Sequence, residues 1–245
     1  MATRIYIASD LHAAEKAWRK FINAIKANVY KADVALLAGD LTGKAIVPII
    51  ERGGGYETEL LGVHRKAKDA EELAVLERDI ADIGFYSFVT TDAEAERLAA
   101  DEHARDELLE RLMTERVNAW MALATERLAE SSTPLYLIPG NDDEFTIDEA
   151  LNQPGYRPIN GDGKVLDIPG DLQLLSSGWS NNTPWATPRE ETEELLFARL
   201  DALAAQVRDP RRAIFMIHVP PHDSGLDEAP LLDENLRPTD RKSVV

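Results

Sequence analysis

An α/β fold built on parallel strands is what this chain predicts, and three observations carry that expectation. Four short apolar runs, Ile5–Ala8, Val34–Ala38, Leu135–Ile138 and Ala213–Ile217, each lead into a loop bearing Asp, Asn or His. The first two runs flank one amphipathic helical segment, which is the βαβ pattern of a parallel pair with a right-handed crossover. All four polar loops leave the carboxyl ends of their strands, where open α/β sheets gather ligands in one crevice.

Taken in order, residues 3–8 read as a short buried strand. A helix follows over Ala13–Asn28, with Trp18, Phe21, Ile22, Ile25 and Val29 at the spacing of one buried face. Residues 33–38 give the second strand. Residues 45–62 resemble a hairpin turning at Gly53-Gly54-Gly55. From about Lys68 to Ser131 the chain reads as helical and densely charged, with Leu109, Met113, Val117, Trp120, Ala124 and Leu128 along one stripe suited to core packing. The expectation is one domain over 1–245 with a hairpin-plus-helical insertion at 44–131, placed where insertions become lids or substrate walls.

Beyond Asn141, residues 165–168 and 172–175 are strand candidates joined at Pro169-Gly170-Asp171, a turn sequence. Residues 177–188 read as an ordered loop rich in Ser, Asn, Thr, Pro and Trp. A helix is expected over 190–207 with Leu196, Leu200, Leu203 and Val207 on one face, then a strand at 213–217. Residues 219–245, with Pro220, Pro221, Pro230 and Pro238, read as mostly irregular.

Composition narrows the function classes. With 245 residues and 44% apolar content, the chain can bury a full core. There is no cysteine, which excludes disulfides, thiolate metal sites and thiol catalysis and suits a cytoplasmic protein. No apolar run approaches 18 residues and the N-terminus lacks a signal-like pattern, so no membrane span or secretory route is expected. The net charge of −17 lacks the basic footprint of a nucleic-acid binder.

The chemistry lies in the strand-end loops. Asp10-Leu11-His12, Gly39-Asp40, Gly140-Asn141-Asp142-Asp143 and His218 occur in one order. Each alone has an ordinary reading: a chance D-x-H triplet, a turn, an Asx-type helix cap, a hydrogen-bonded core histidine. Together they place imidazole, carboxylate and amide donors at one sheet edge, a set suited to Mn, Fe or Zn. Burying several carboxylates together is costly unless cations neutralise them.

In these motifs the chain resembles the calcineurin-like metallophosphoesterase superfamily, whose pattern runs D-x-H, G-D, G-N-H-[DE], H and G-H-x-H. The resemblance spans residues 5–218. It implies a four-layer αββα sandwich of two mixed sheets, the metallo-dependent phosphatase fold. It also implies two divalent metal ions, with Asp10 and His12 on the first, Asn141 and His218 on the second and Asp40 bridging them. The implied reaction is phosphoester hydrolysis by a bridging hydroxide, with a small phosphoester as substrate.

Two departures shape the expectation. Asp142 stands where the family has a phosphate-contacting histidine. A carboxylate there is a poor proton donor and repels phosphate, by roughly 4 kcal/mol per unit charge at about 4 Å and an effective dielectric near 20. Phosphodiesters are therefore favoured over monoesters. The G-H-x-H motif is absent, so the domain is expected to be C-terminally incomplete, with His222 as a surrogate ligand. Trp179 and Asn181 are candidates for a substrate rim. The rival reading is a non-catalytic or metal-poor binding module. A nuclease of the same fold is disfavoured by charge, and a nucleotide-binding doubly wound protein by the lack of a Gly-rich phosphate loop.

Overall fold

The computed structural model describes residues 2–232 and 238–243. Its first unit is the expected βαβ: β1 (Ile5–Ala8), α1 (Glu15–Lys26) and β2 (Val34–Ala38). Trp18, Phe21, Ile22 and Ile25 of α1 are buried. Val29, counted with that face in the sequence, is 61% exposed. The helix stops at Lys26, and Asn28 adopts φ 50°, which turns the chain away before Val29 can join the stripe.

The region 44–131 departs from expectation. It holds β3 (Ile46–Arg52), β4 (Gly55–Leu60), β5 (Val63–Ala67), α2 (Ala70–Asp82), β6 (Tyr86–Thr90), α3 (Asp92–Ala100) and α4 (Glu102–Arg127). The hairpin at Gly53–Gly55 is present, but it belongs to a four-stranded sheet ordered β5-β4-β3-β6. Residues 86–90, within the stretch that reads as largely helical, pair in parallel with β3. The run Tyr-Ser-Phe-Val-Thr is aromatic and β-branched, which favours a strand once a partner edge is available. Asp69, Thr91 and Asp101 cap α2, α3 and α4 by accepting the backbone N–H three residues on.

The region is not a detached lid. Val47, Ile49, Leu60, Ala67, Leu76 and Ile80 form a core of their own. Helix α4, however, packs into the main core: Met113, Val117, Trp120, Met121 and Ala124 cluster with Trp18, Phe21 and Ile22 of α1. Trp18 and Trp120 stack with centroids 4.8 Å apart and planes 7° from parallel.

The remaining elements are β7 (Leu135–Ile138), α5 (Asp148–Leu151), β8 (Ile159–Asn160), β9 (Lys164–Ile168), β10 (Leu172–Ser177), β11 (Ser180–Asn181), β12 (Glu190–Glu191), α6 (Glu193–Ala204), β13 (Ala213–Ile217), β14 (Glu228–Leu232) and β15 (Pro238–Ser243). Strands β1-β2-β7-β8 make an all-parallel sheet. Strands β13-β10-β9 make a mixed one, parallel between β10 and β13 and antiparallel between β9 and β10. Every residue of β2 and β7 is buried, as expected of central parallel strands covered on both faces.

One face of the parallel sheet packs on α1, α4 and α5, through Ala35, Leu37, Leu135 and Leu137. The other face presents Val34, Leu36, Ala38, Tyr136 and Ile138 to Ile168, Leu174 and Met216 of the mixed sheet. The molecule is thus α/β with parallel and mixed sheets and, among the described residues, six α-helices. The stretch 219–245, read as mostly irregular, contains the antiparallel pair β14–β15. Residues 233–237 and 244–245 of that stretch lie outside the described residues.

Candidate metal centre

The site begins with backbone strain. Asp10, His12, Ala13 and Asp40 all adopt positive φ (56°, 43°, 58° and 50°), a region that costs a non-glycine residue roughly 1–3 kcal/mol. What holds them there is a short backbone ladder between two loops. Asp10 N–H donates to Gly39 O (3.0 Å), His12 N–H to Asp40 O (2.9 Å) and Ala13 N–H to Leu41 O (2.8 Å). The loops after β1 and β2 are therefore zipped together, and the strained turns aim Asp10, His12 and Asp40 at one point. Their ligand atoms lie within 4.8 Å of one another.

A second pair of loops closes the other side. His218, at the end of β13, is 3.3 Å from Asp40 Oδ1 through Nε2. The same Nε2 lies 2.9 Å from Asn141 Oδ1, in the loop after β7. Asn141 is oriented by its amide, which donates to Thr187 Oγ1 (2.8 Å), so its oxygen faces the histidine. The structure thus gathers Asp10, His12, Asn141 and His218 around Asp40. Asp40 is 6% exposed, and its two oxygens face different neighbours: Oδ2 lies 3.6 Å from His12 Nε2, whereas Oδ1 faces His218.

The donor chemistry fits a cation. His218 Nδ1 lies 2.8 Å from the Ala38 carbonyl, which can only accept. Its Nε2 faces a carboxylate oxygen and an amide oxygen, which also only accept. Both nitrogens therefore need a positive partner: Nδ1 carries a hydrogen, and Nε2 needs a second proton or a metal ion. Burial alone would lower the His218 pKa, but the hydrogen bond and charge of Asp40 outweigh it and raise the pKa to about 9. For Asp40, burial works upward, and His218 and His12 together hold the carboxyl below its ordinary range. Metal-binding imidazoles are usually anchored in this way, with the other ring nitrogen held by a backbone carbonyl or a carboxylate.

Asp143 braces this centre from below. It is fully buried and accepts four hydrogen bonds, from Leu41 N (2.9 Å), Thr42 N (2.8 Å), Thr42 Oγ1 (2.6 Å) and Gly140 N (2.8 Å). Burial pushes its carboxyl up, against the pull of those donors. Two glycines permit the close approach. A Cβ on Gly39 would meet the His218 ring, and one on Gly140 would meet the Asp40 carboxylate and backbone nitrogen.

Asp142 sits at the rim. Its N–H donates to Asp40 Oδ1 (3.3 Å), and its carboxylate lies 3.4 Å from Lys44 Nζ. Burial raises its pKa, opposed by Lys44. His222 lies 3.7 Å from Asp223 Oδ1 and 3.6 Å from Asp227 Oδ2, a second group able to hold a metal ion. Trp179 lies under the Arg199 guanidinium, 4.1 Å from its ring centroid, and tilts against Phe145. Asn181 pairs with Glu191 between β11 and β12.

Several contributors escaped the sequence reading. Arg189 is 2% exposed and donates to Asp143 O (2.9 Å), Glu144 O (3.1 Å) and Asp148 Oδ1 (2.6 Å), fixing the loop that carries Asn141. Arg116 of α4 donates to Ala13 O (2.8 Å), and Tyr86 Oη of β6 accepts from Gly43 N (3.2 Å). No local pattern marks these residues, because each acts across a large sequence separation.

Fold and site together define an α/β protein whose strand-end loops converge on a carboxylate–imidazole group able to hold a metal ion. No family model matches the chain. Over 105 residues, 42% of its length, it is 32% identical to the uncharacterized protein MJ1162 of Methanocaldococcus jannaschii. That match spans 44% of MJ1162, less than half of the relative's length. In fold it is similar to TT1561 of Thermus thermophilus, with a TM-score of 0.51 and 15% identity over 92% of this chain and 72% of that one. A second solved chain aligns with a TM-score of 0.53 at 12% identity, over 100% of this chain and 77% of the other. Among the described residues, no helix is long and apolar enough to cross a membrane.

Proposed function

We propose that this chain is a metal-dependent phosphoester hydrolase, that its layers are those of an αββα metallophosphoesterase sandwich, and that its substrate is a small phosphodiester. The observation that carries the reading is the two-sided carboxylate of Asp40: Oδ2 toward His12 and Oδ1 toward His218, whose Nε2 also meets Asn141 Oδ1. A carboxylate set between two donor groups suits the bridging position of a dinuclear centre. Asp10 and His12 would hold one divalent ion and Asn141 and His218 the other, as Mn, Fe or Zn. Two such ions supply Lewis-acid polarisation of the phosphoryl oxygens and activation of water.

The protein's own contribution is positioning. The zipped loops fix Asp10, His12 and Asp40 before any ligand arrives, and Asp143 locks the Asp40 loop to the Asn141 loop. Preorganised groups need no rearrangement as charge develops on the phosphoryl group. At the rim, one ammonium (Lys44) faces two carboxylates (Asp142 and Glu144), which leaves a net negative charge. That balance favours a diester monoanion over a monoester dianion.

The test is Mn²⁺ titration of the metal-stripped chain by calorimetry, with hydrolysis of bis(p-nitrophenyl) phosphate and p-nitrophenyl phosphate measured in parallel. Two sites in the wild type, both weakened in Asp40→Asn, and a diester rate above the monoester rate are expected. Absence of Mn²⁺ binding would overturn the reading. A second reading, a metal-poor binding module, is favoured by one feature: the contacts around Asp40 bring one imidazole to each side of it, His12 to Oδ2 and His218 to Oδ1. It calls for one weak site and no hydrolysis.

A further inference from the structure

Lys44 stands at the rim of the centre, and the assignment of ligands leaves its chemistry unused. It follows the Asp40 loop, four residues on, and its ammonium reaches back across a sequence gap of 100 residues to Glu144 Oε1 at 3.1 Å. It also lies 3.4 Å from Asp142 Oδ1. Asp142 in turn donates its N–H to Asp40 and is close enough to feel the charges of Asp40 and His12. The ammonium is thus held beside the metal ligands by two carboxylates, while 40% of its side chain stays open to solvent.

That combination differs from a surface ion pair. Surface lysine pairs are mobile and contribute little. Here Asp142 and Glu144 belong to the segment that Arg189 fixes through Asp143 O and Glu144 O, so the anchors are themselves immobilised. An ammonium has three donors. Glu144 takes one, Asp142 lies at ion-pair distance, and donor capacity is left for an incoming oxygen.

We propose that Lys44 is a phosphate-binding residue of this centre, donating its remaining N–H to a non-bridging oxygen of a phosphodiester while Asp142 and Glu144 hold the ammonium in place. The inference rests on the phosphoester reading above. It assigns Asp142 a positioning role. It also accounts for how a rim with two carboxylates admits an anion: the substrate meets the lysine, whose charge offsets the nearer carboxylate. No bond is made or broken by Lys44; it binds and orients.

The experiment uses the whole chain loaded with Mn²⁺ and bis(p-nitrophenyl) phosphate as substrate. Lys44→Met should raise KM by about tenfold or more, the scale of a lost charge-assisted hydrogen bond, with a smaller change in kcat. Lys44→Arg should recover most of that loss. The double variant Lys44→Met/Glu144→Gln restores the rim charge balance without a cation, and it should remain as impaired as Lys44→Met. Mn²⁺ stoichiometry should be unchanged in all three, as should the melting temperature of the Arg variant. If Lys44→Met keeps a wild-type KM while the wild type binds Mn²⁺ and hydrolyses the diester, the lysine proposal falls and the hydrolase reading stands. If the double variant recovers activity, the lysine acts through charge alone and the contact is refuted. A wild type without Mn²⁺ binding or hydrolysis overturns both.

Discussion

The carboxylate of Asp143 accepts both the backbone N–H and the hydroxyl of Thr42, at 2.8 and 2.6 Å, and so ties the G-N-D-D loop to the loop carrying Asp40. Its other oxygen takes Leu41 N and Gly140 N. All the partners donate, so the position requires a group that only accepts. An amide in its place turns an N–H₂ toward two donors, whichever way it is rotated. Asp143→Asn should cost about 3 kcal/mol, or roughly 6–12 °C in Tm for a chain of this size. A loss below about 1 kcal/mol in thermal melts would show that the two loops do not depend on this bridge.

His218 makes stability depend on pH when no metal ion is bound. Its pKa rises on folding from 6.5 to about 9, with Asp40 as the partner that overcomes burial. Stability from this proton is fully present below pH 6.5 and lost as pH rises through about 9. Asp40 is lowered from 3.8, so its own contribution is present above that value and lost as pH falls. The metal-stripped chain should therefore lose up to about 3 kcal/mol between about pH 6.5 and 9.5. His218→Asn should flatten the profile. Mn²⁺ binding near pH 8 should release a proton, seen as a buffer-dependent enthalpy. A level profile in the wild type would refute the His218–Asp40 ion pair.

What the sequence made legible, and what it did not, follows from range. Asp10, His12, Asp40, Asn141 and His218 each follow an apolar run, so strand order alone was enough to suggest that they meet, although only the runs before Asp40 and Asn141 are buried throughout, while Ile5, Ile7 and Phe215 of the other two are exposed. The strand at Tyr86–Thr90 was hidden because five residues between charged helices carry no period of their own, and its pairing with Ile46–Ile50 is set by tertiary contact. Lys44, Arg116 and Arg189 were invisible for a related reason. A surface-type residue reads as solvated until the fold brings its partner, 100 residues away for Lys44 and 103 for Arg116. His222 was a candidate by proximity in sequence to His218, and its ring lies within ion-pair distance of Asp223 and Asp227.

Gly140 should tolerate no side chain. A Cβ there meets the backbone nitrogen of Asp40 as well as its carboxylate, and a backbone atom in a zipped loop cannot yield as a flexible side chain can. Gly140→Ala should cost about 3 kcal/mol through overpacking and should also weaken Mn²⁺ binding, since relief of the clash displaces Asp40. Gly163→Ala is the control for Mn²⁺ affinity: its φ of 67° strains an alanine and lowers stability, but nothing lies within 4 Å of its Cβ, so the affinity should be unchanged. Equal effects of the two substitutions on Mn²⁺ affinity would refute the close packing of the loops.

The region between β2 and β7 should act on the centre through two hydrogen bonds. Arg116 holds Ala13 O, immediately after His12, and its guanidinium lies 5.3 Å from the centroid of Tyr86. Tyr86 receives the Gly43 N–H, three residues after Asp40, and burial raises its pKa to about 12, so it stays a neutral phenol. Each contact therefore steadies one of the two zipped loops. Arg116→Met keeps much of the volume and removes the donor, leaving the strained turn at His12 and Ala13 less supported. Amide exchange over residues 10–14 should accelerate, and Mn²⁺ affinity should fall by about tenfold, as when a residue that orients a metal ligand is lost. Tyr86→Phe should do the same for the Asp40 loop. If both variants melt earlier while exchange over residues 10–14 and 40–43 and Mn²⁺ affinity hold steady, the region packs against the core without supporting the site.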